Sequence, residues 1–162
     1  MISAVHSGPP AECGDPRNSL PLLRAWSARF KDHFYTTNET EMNNSISSLG
    51  YIDEGITGYI LPIPEHSTVP LYRLYQACQY DHFYTVDKVE ADNAVNKYGY
   101  TAEGIAGYVY PPQNSTCGGV PLYRLYSATA VDHFYTTSKT ERDNASKGNY
   151  TQEGIAAYIF PF

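Results

Sequence analysis

The chain has 162 residues, a net charge of −6 and 11 basic residues scattered along it. That length suits one compact unit or a few small ones sharing a core, and the acidic balance (pI near 5.2) argues against nucleic acid or an anionic membrane as partner, since both need clustered Lys and Arg. No apolar run is long enough to span a bilayer, so membrane insertion is not expected.

The first 20 residues, "MISAVHSGPPAECGDPRNSL", are rich in Gly, Pro and Ser and read as an N-terminal extension. They lack the charged, apolar and cleavage regions of a signal peptide, which predicts a cytosolic protein or an already processed form. Cys13, Cys78 and Cys117 have no metal-ligand spacing, and an odd count allows at most one internal disulfide. Asn38, Asn43, Asn114, Asn144 and Asn149 open N-x-S/T sequons, read without a secretion signal as ordinary turn and cap residues.

From Pro21 the chain repeats. "PLLRAWSARFKDHFYTT", "PLYRLYQACQYDHFYTV" and "PLYRLYSATAVDHFYTT" align without gaps, and each leads to "YIDEGITGYILP", "YTAEGIAGYVYP" or "YTQEGIAAYIFP". The units run 21–69, 70–120 and 121–162 and form one domain. In each, an alternating aromatic-rich strand ("LYRLY"), a polar loop and a second strand ("HFYT") predict a β-hairpin. A capping-box pattern follows: Asn38 with Glu41, Asp87 with Glu90, Ser138 with Glu141. The helix it starts should stop at Gly50, Gly99 or Gly148. A last strand closes the unit.

A single ββαβ unit cannot bury its apolar face alone. The fold class expected is therefore α+β, mainly antiparallel β with three short helices, in three ββαβ repeats about a pseudo-threefold axis. A β-trefoil is the competing architecture, having three units of similar length but no capped helix.

The motifs P-L-Y-R-L-Y, D-H-F-Y-T-T and E-G-I-A-G-Y resemble a short tandem repeat of fungal proteins and secreted bacterial proteins, a domain of unknown function that accompanies cell-wall or glycan-acting modules. The resemblance implies carbohydrate or surface binding by association only.

The repeated polar residues define the candidate site, with a structural reading open beside it: the Asp residues bonding nearby backbone in the hairpin loop and the His residues hydrogen-bonded in the core. Alternation puts His33 with Tyr35, His82 with Tyr84 and His133 with Tyr135 on one strand face. Asp32, Asp81 and Asp132 precede them; Trp26, Tyr75 and Tyr126 lie on the neighbouring strand; Glu54, Glu103 and Glu153 open the third strand, each before a Gly that would allow close approach. Arg24, Arg73 and Arg124 read as register-fixing partners of Glu, and the capping-box acids as structural. An enzyme assembles one asymmetric constellation, whereas every polar candidate here comes in triplicate and no G-x-S-x-G element occurs. Catalysis is not expected, and no cofactor is implied.

The function expected is a lectin-like, carbohydrate-binding module with up to three pseudo-equivalent sites and glycans or glycoproteins as partners. Aromatic rings would meet sugar C–H faces, while Asp, His, Tyr and Glu would serve the hydroxyls. The alternatives are a protein-interaction or structural module without glycan binding and, further down, a three-His metal site on the axis. Departures between units predict unequal sites: Trp26 replaces Tyr75 and Tyr126, and Ala157 adds a methyl where Gly58 and Gly107 stand.

Overall fold

A computed structural model describes residues 12–161. After a short 3-10 turn at Pro16–Asn18, the order is β1 (Leu20–Ser27), β2 (Asp32–Thr36), α1 (Glu39–Leu49) and β3 (Ile52–Ile60). The second unit follows as β4 (Val69–Gln76), β5 (Asp81–Thr85), α2 (Lys88–Tyr98) and β6 (Thr101–Val109). A one-turn helix α3 (Ser115–Gly118) precedes β7 (Val120–Ser127), β8 (Asp132–Thr136), α4 (Lys139–Ser146) and β9 (Thr151–Ile159). These are the three expected ββαβ units. Each makes its own antiparallel three-stranded sheet, ordered β2-β1-β3, β5-β4-β6 and β8-β7-β9. The sheets do not join into a closed barrel, which sets the trefoil aside. No helix among the described residues is long and apolar enough to cross a membrane.

Local chemistry explains the elements. The hairpin register pairs Ser27 with Asp32, and the loop closes with Lys31 at φ 55°, as Tyr80 and Val131 do in the other units. The helix caps are as expected at Asn38, Asp87 and Ser138, whose side chains accept from the N–H groups of Glu41, Glu90 and Glu141. The return half of the capping box is missing. The cap N–H groups donate instead to the hydroxyls of Thr36, Thr85 and Thr136, which frees the glutamates. Gly50 and Gly99 terminate α1 and α2 in the left-handed conformation (φ 76° and 74°), whereas α4 stops earlier at Lys147, still right-handed. Helix α3 lay outside the repeat pattern; Asn114 caps it, and Cys117 within it forms a disulfide with Cys13. Cys78 is free and exposed.

The units meet around the axis in tiers. At one end Leu61, Tyr110 and Phe160 cluster, and the bridges Tyr59 to Phe160, Leu61 to Tyr108 and Tyr110 to Tyr158 tie each unit to the next. Above them lie Leu22, Leu71 and Leu122 with Ile60, Val109 and Ile159. A Cβ placed on Gly58 would meet Ile159 Cδ1 at 2.5 Å, and one on Gly107 would meet Ile60 Cδ1 at 2.4 Å. The third pair in this cycle is Ala157 with Val109, both in the same buried cluster. Here the extra methyl of Ala157 is matched by the methyl group that Val109 lacks relative to Ile. Ala157 is fully buried; its methyl belongs to core packing and does not narrow a site. Gly55, Gly104 and Gly154 have open space around them and φ of 83°, 95° and 96°. They serve the backbone conformation next to the sheet irregularities, not the close approach expected of them.

Candidate functional site

The three tyrosines of the DHFYT strands occupy the next tier. Tyr35, Tyr84 and Tyr135 are buried and packed edge-to-face, with ring centroids 5.4, 5.4 and 5.5 Å apart. Their hydroxyls close a ring. Tyr35 Oη donates to the Tyr135 carbonyl, Tyr135 Oη to that of Tyr84 and Tyr84 Oη to that of Tyr35. Each hydroxyl also accepts a backbone N–H: Tyr35 N donates to Tyr84, Tyr84 N to Tyr135 and Tyr135 N to Tyr35. Burial holds all three phenols protonated, well above their ordinary pKa. This places Tyr35, Tyr84 and Tyr135 on the axis and away from any ligand. Both faces of β2 are buried, one toward the helix and one toward the axis.

The final tier consists of Asp32, Asp81 and Asp132, all at 0% exposure, with one oxygen from each within 4.8 Å of the others. They do not bond nearby backbone in the hairpin loop. Asp32 accepts the N–H and Nδ1 of His82 in the next unit (2.9 and 2.6 Å), with Tyr51 Oη at 2.6 Å. Asp81 holds His133 and Tyr100 in the same way, and Asp132 holds His33 and Tyr150. The aspartates therefore stand behind the site. Among the described residues the three imidazoles do not gather at a common point; the carboxylates do. The geometry asked of a three-His centre is absent because the three rings stand apart, each with its Nε2 turned to its own unit's Glu.

Each of these three His is also sandwiched between two rings. His82 lies between Tyr75 of its own unit (4.5 Å) and Phe34 of the preceding one (4.9 Å). His33 lies between Trp26 (4.4 Å) and Phe134 (4.7 Å), and His133 between Tyr126 (4.7 Å) and Phe83 (4.6 Å). The far nitrogen of each ring points to the unit's own Glu: His33 Nε2 to Glu54 at 3.6 Å, His82 to Glu103 at 3.5 Å, His133 to Glu153 at 3.7 Å. Burial opposes a charge on His82, but Asp32 and Glu103 overcome it and push its pKa up to about 9.

Next to each His an arginine joins two carboxylates. Arg73 forms a bidentate pair with Glu41 of the preceding unit (2.8 and 2.9 Å) and reaches Glu103 of its own at 3.1 Å. Arg124 does the same with Glu90 and Glu153, and Arg24 with Glu141 and Glu54. The guanidinium groups sit over Phe34, Phe83 and Phe134 at 5.5, 5.3 and 5.3 Å. Arg73 holds the Glu41 carboxyl below the usual range, and Arg24 does so for Glu141. His82 lowers Glu103. At Glu90, burial pushes upward but Arg124 and Thr85 prevail and lower it.

These contacts floor clefts between successive units. The cleft between units one and two measures about 620 Å³ and is lined by Phe30, Phe34, Tyr51, Tyr75, Tyr80 and Leu49, with Glu41, Arg73, His82 and Glu103 at its base. The cleft between units two and three, about 690 Å³, has Phe83, Tyr98, Tyr100, Tyr126, Gln79 and Val131 around Glu90, His133 and Glu153. Between units three and one, the same base forms from Glu141, Arg24, His33 and Glu54. Of the residues expected at the site, Trp26, Tyr75 and Tyr126, the three His and Glu54, Glu103 and Glu153 do come together. The sequence reading missed Phe34, Phe83 and Phe134, the loop residues Phe30 and Tyr80, and Tyr51, Tyr100 and Tyr150. The last three open the repeated motifs "YIDEG", "YTAEG" and "YTQEG", a signal that was present. It also assigned Glu41, Glu90 and Glu141 to capping alone.

Chemically, the clefts offer ring faces, fixed carboxylate acceptors and guanidinium donors. Glu41 and Glu103 are anionic and His82 is protonated at neutral pH, so the floor of this cleft is a network of paired charges.

A family-level match covers residues 21–160: the chain belongs to the family described as Domain of unknown function (DUF5648). No curated protein and no solved structure matches it.

Proposed function

We propose that this protein is a carbohydrate-binding, lectin-like module and not an enzyme, with its sites in the clefts between successive units. The observation that carries this reading is the composition of the cleft between units one and two: five aromatic rings stand around an anchored Glu41–Arg73–Glu103 bridge. Sugars need that pairing of apolar ring faces with immobile hydroxyl partners, and the cleft volume is in the usual range for a small-molecule site. The charges at the floor are already paired, so a neutral polyol suits it better than an ion. Repetition supplies several sites on one rigid body, which raises avidity for multivalent glycans. The disulfide between Cys13 and Cys117 suits an oxidising compartment, where glycans are displayed.

The test is a glycan array with the full chain, followed by the Trp26→Ala, Tyr75→Ala and Tyr126→Ala triple variant, with its fold checked by circular dichroism. Glycan signals that vanish in the folded variant support the proposal; a well-folded protein that binds no glycan removes it. A second reading, protein docking, is favoured by one observation: Ile56, Ile105 and Ile155 occupy equivalent positions on β3, β6 and β9 and are all exposed. It predicts capture of a partner that free sugars do not compete away.

A further inference from the structure

The clefts between units one and two and between units two and three have equivalent floors but different rims. Between units one and two the hairpin loops contribute Phe30 and Tyr80, whose rings stack with centroids 4.6 Å apart; Phe30 also lies 6.2 Å from Tyr51. The same two repeat positions between units two and three are Gln79 and Val131, which line that cleft.

A hydroxyl pressed against the Phe30–Tyr80 wall would lose water without gaining a partner, at a cost in binding. A methyl group there gains contact. On the floor below, the Glu41 and Glu103 carboxylates can accept an N–H, and the Arg73 guanidinium is the adjacent donor. A substituent with a methyl, an N–H donor and a carbonyl acceptor within one small planar group matches all three features. At the second cleft, the Gln79 amide offers a hydroxyl both a donor and an acceptor, so the methyl carries no comparable advantage.

Resting on the sugar-binding reading, we propose that the cleft between units one and two selects an N-acetylated amino sugar through its acetamido group, whereas the cleft between units two and three takes an unsubstituted hexose as readily. Phe30 and Tyr80 are the specificity-determining residues. The selectivity expected is on the order of ten-fold, the scale at which an apolar pocket discriminates one small group.

The experiment titrates the full chain with the methyl β-glycosides of N-acetylglucosamine and of glucose, by calorimetry and by NMR shift mapping. The wild-type protein should show an N-acetylglucosamine class about ten-fold tighter than the glucose class, with the tight class perturbing residues around Phe30 and Tyr80. The Phe30→Gln, Tyr80→Val variant should lose that preference, while glucose binding at the cleft between units two and three, which neither residue lines, persists. The converse variant, Gln79→Phe with Val131→Tyr, should gain a second tight class, an outcome that misfolding cannot imitate. Binding of both sugars with the ratio unchanged in the first variant, or no second class in a folded converse variant, overturns this inference alone. Failure of the wild-type protein to bind either sugar overturns it together with the proposed function.

Discussion

Asp32 and His82 belong to different units, yet the carboxylate of one takes both the backbone N–H and the Nδ1 of the other. The same relation links Asp81 to His133 and Asp132 to His33, so each hairpin is completed by its neighbour. Binding surface and unit-to-unit assembly therefore draw on the same residues.

The first consequence is a pH limit. His82, with its pKa raised to about 9 from 6.5, contributes stability that is fully present below pH about 6.5 and lost as pH rises through about 9. Glu41, Glu90, Glu103 and Glu141 are shifted down from 4.5, so their contribution is present above that value and lost as pH falls through their lower folded values. Thermal midpoints measured across pH should form a plateau that declines on both sides, with the alkaline decline weakened in His82→Gln. A midpoint flat from pH 7 to 10 would contradict the pairing of His82 with Asp32.

Removing one hydroxyl from the tyrosine ring takes away two hydrogen bonds at once. Tyr84→Phe leaves the Tyr35 N–H and the Tyr35 carbonyl without their partner inside the core. The expected cost is about 2 kcal/mol, or roughly 4–8 °C in melting temperature for a chain of this size. Denaturant unfolding measures it, and a loss under about 0.5 kcal/mol, below the usual worth of even one hydrogen bond, would show that the ring is not cooperative.

Arg73→Ala should cost less than a fully buried ion pair would. The Glu41 side chain is 38% exposed, so solvent screens it, and about 1–2 kcal/mol is expected. The larger effect should be on ligand binding, because Glu41 and Glu103 would then repel each other across the cleft floor. Unchanged affinity in the Arg73→Ala protein would argue that the bridge has no part in recognition.

The core pairs allow a compensation test. Gly107→Ala should destabilise by about 1–3 kcal/mol through overpacking against Ile60, and adding Ile60→Val should recover most of that, reproducing the natural Ala157–Val109 pair. Two losses that simply add would show that the positions do not touch.

Much of this arrangement could be read from the sequence, and the limit of that reading is physical. Period-two alternation and the Asn38, Asp87 and Ser138 caps depend on neighbours within a few residues, so the hairpins and helices were legible. Alternation separates the Tyr35 face from the Phe34 face but does not say what covers either. Both proved to be buried, and Tyr35 left the site for the axis. Glu41 satisfied every local rule for a capping box, yet Thr36 took over the cap N–H and Arg73, from another unit, took the carboxylate. Contacts between units follow from closure, which no short window of sequence contains.

Because every cleft takes Glu and Phe from one unit and Arg, His and the stacking aromatic from the next, a lone unit owns two half-sites and no whole one. A chain of a single unit could offer these clefts only as a homotrimer, with three copies donating edges in a circle. Within one polypeptide each edge can differ from the other two. The Phe30–Tyr80 rim is one such edge, a departure from symmetry that no identical trimer could have made at one interface alone.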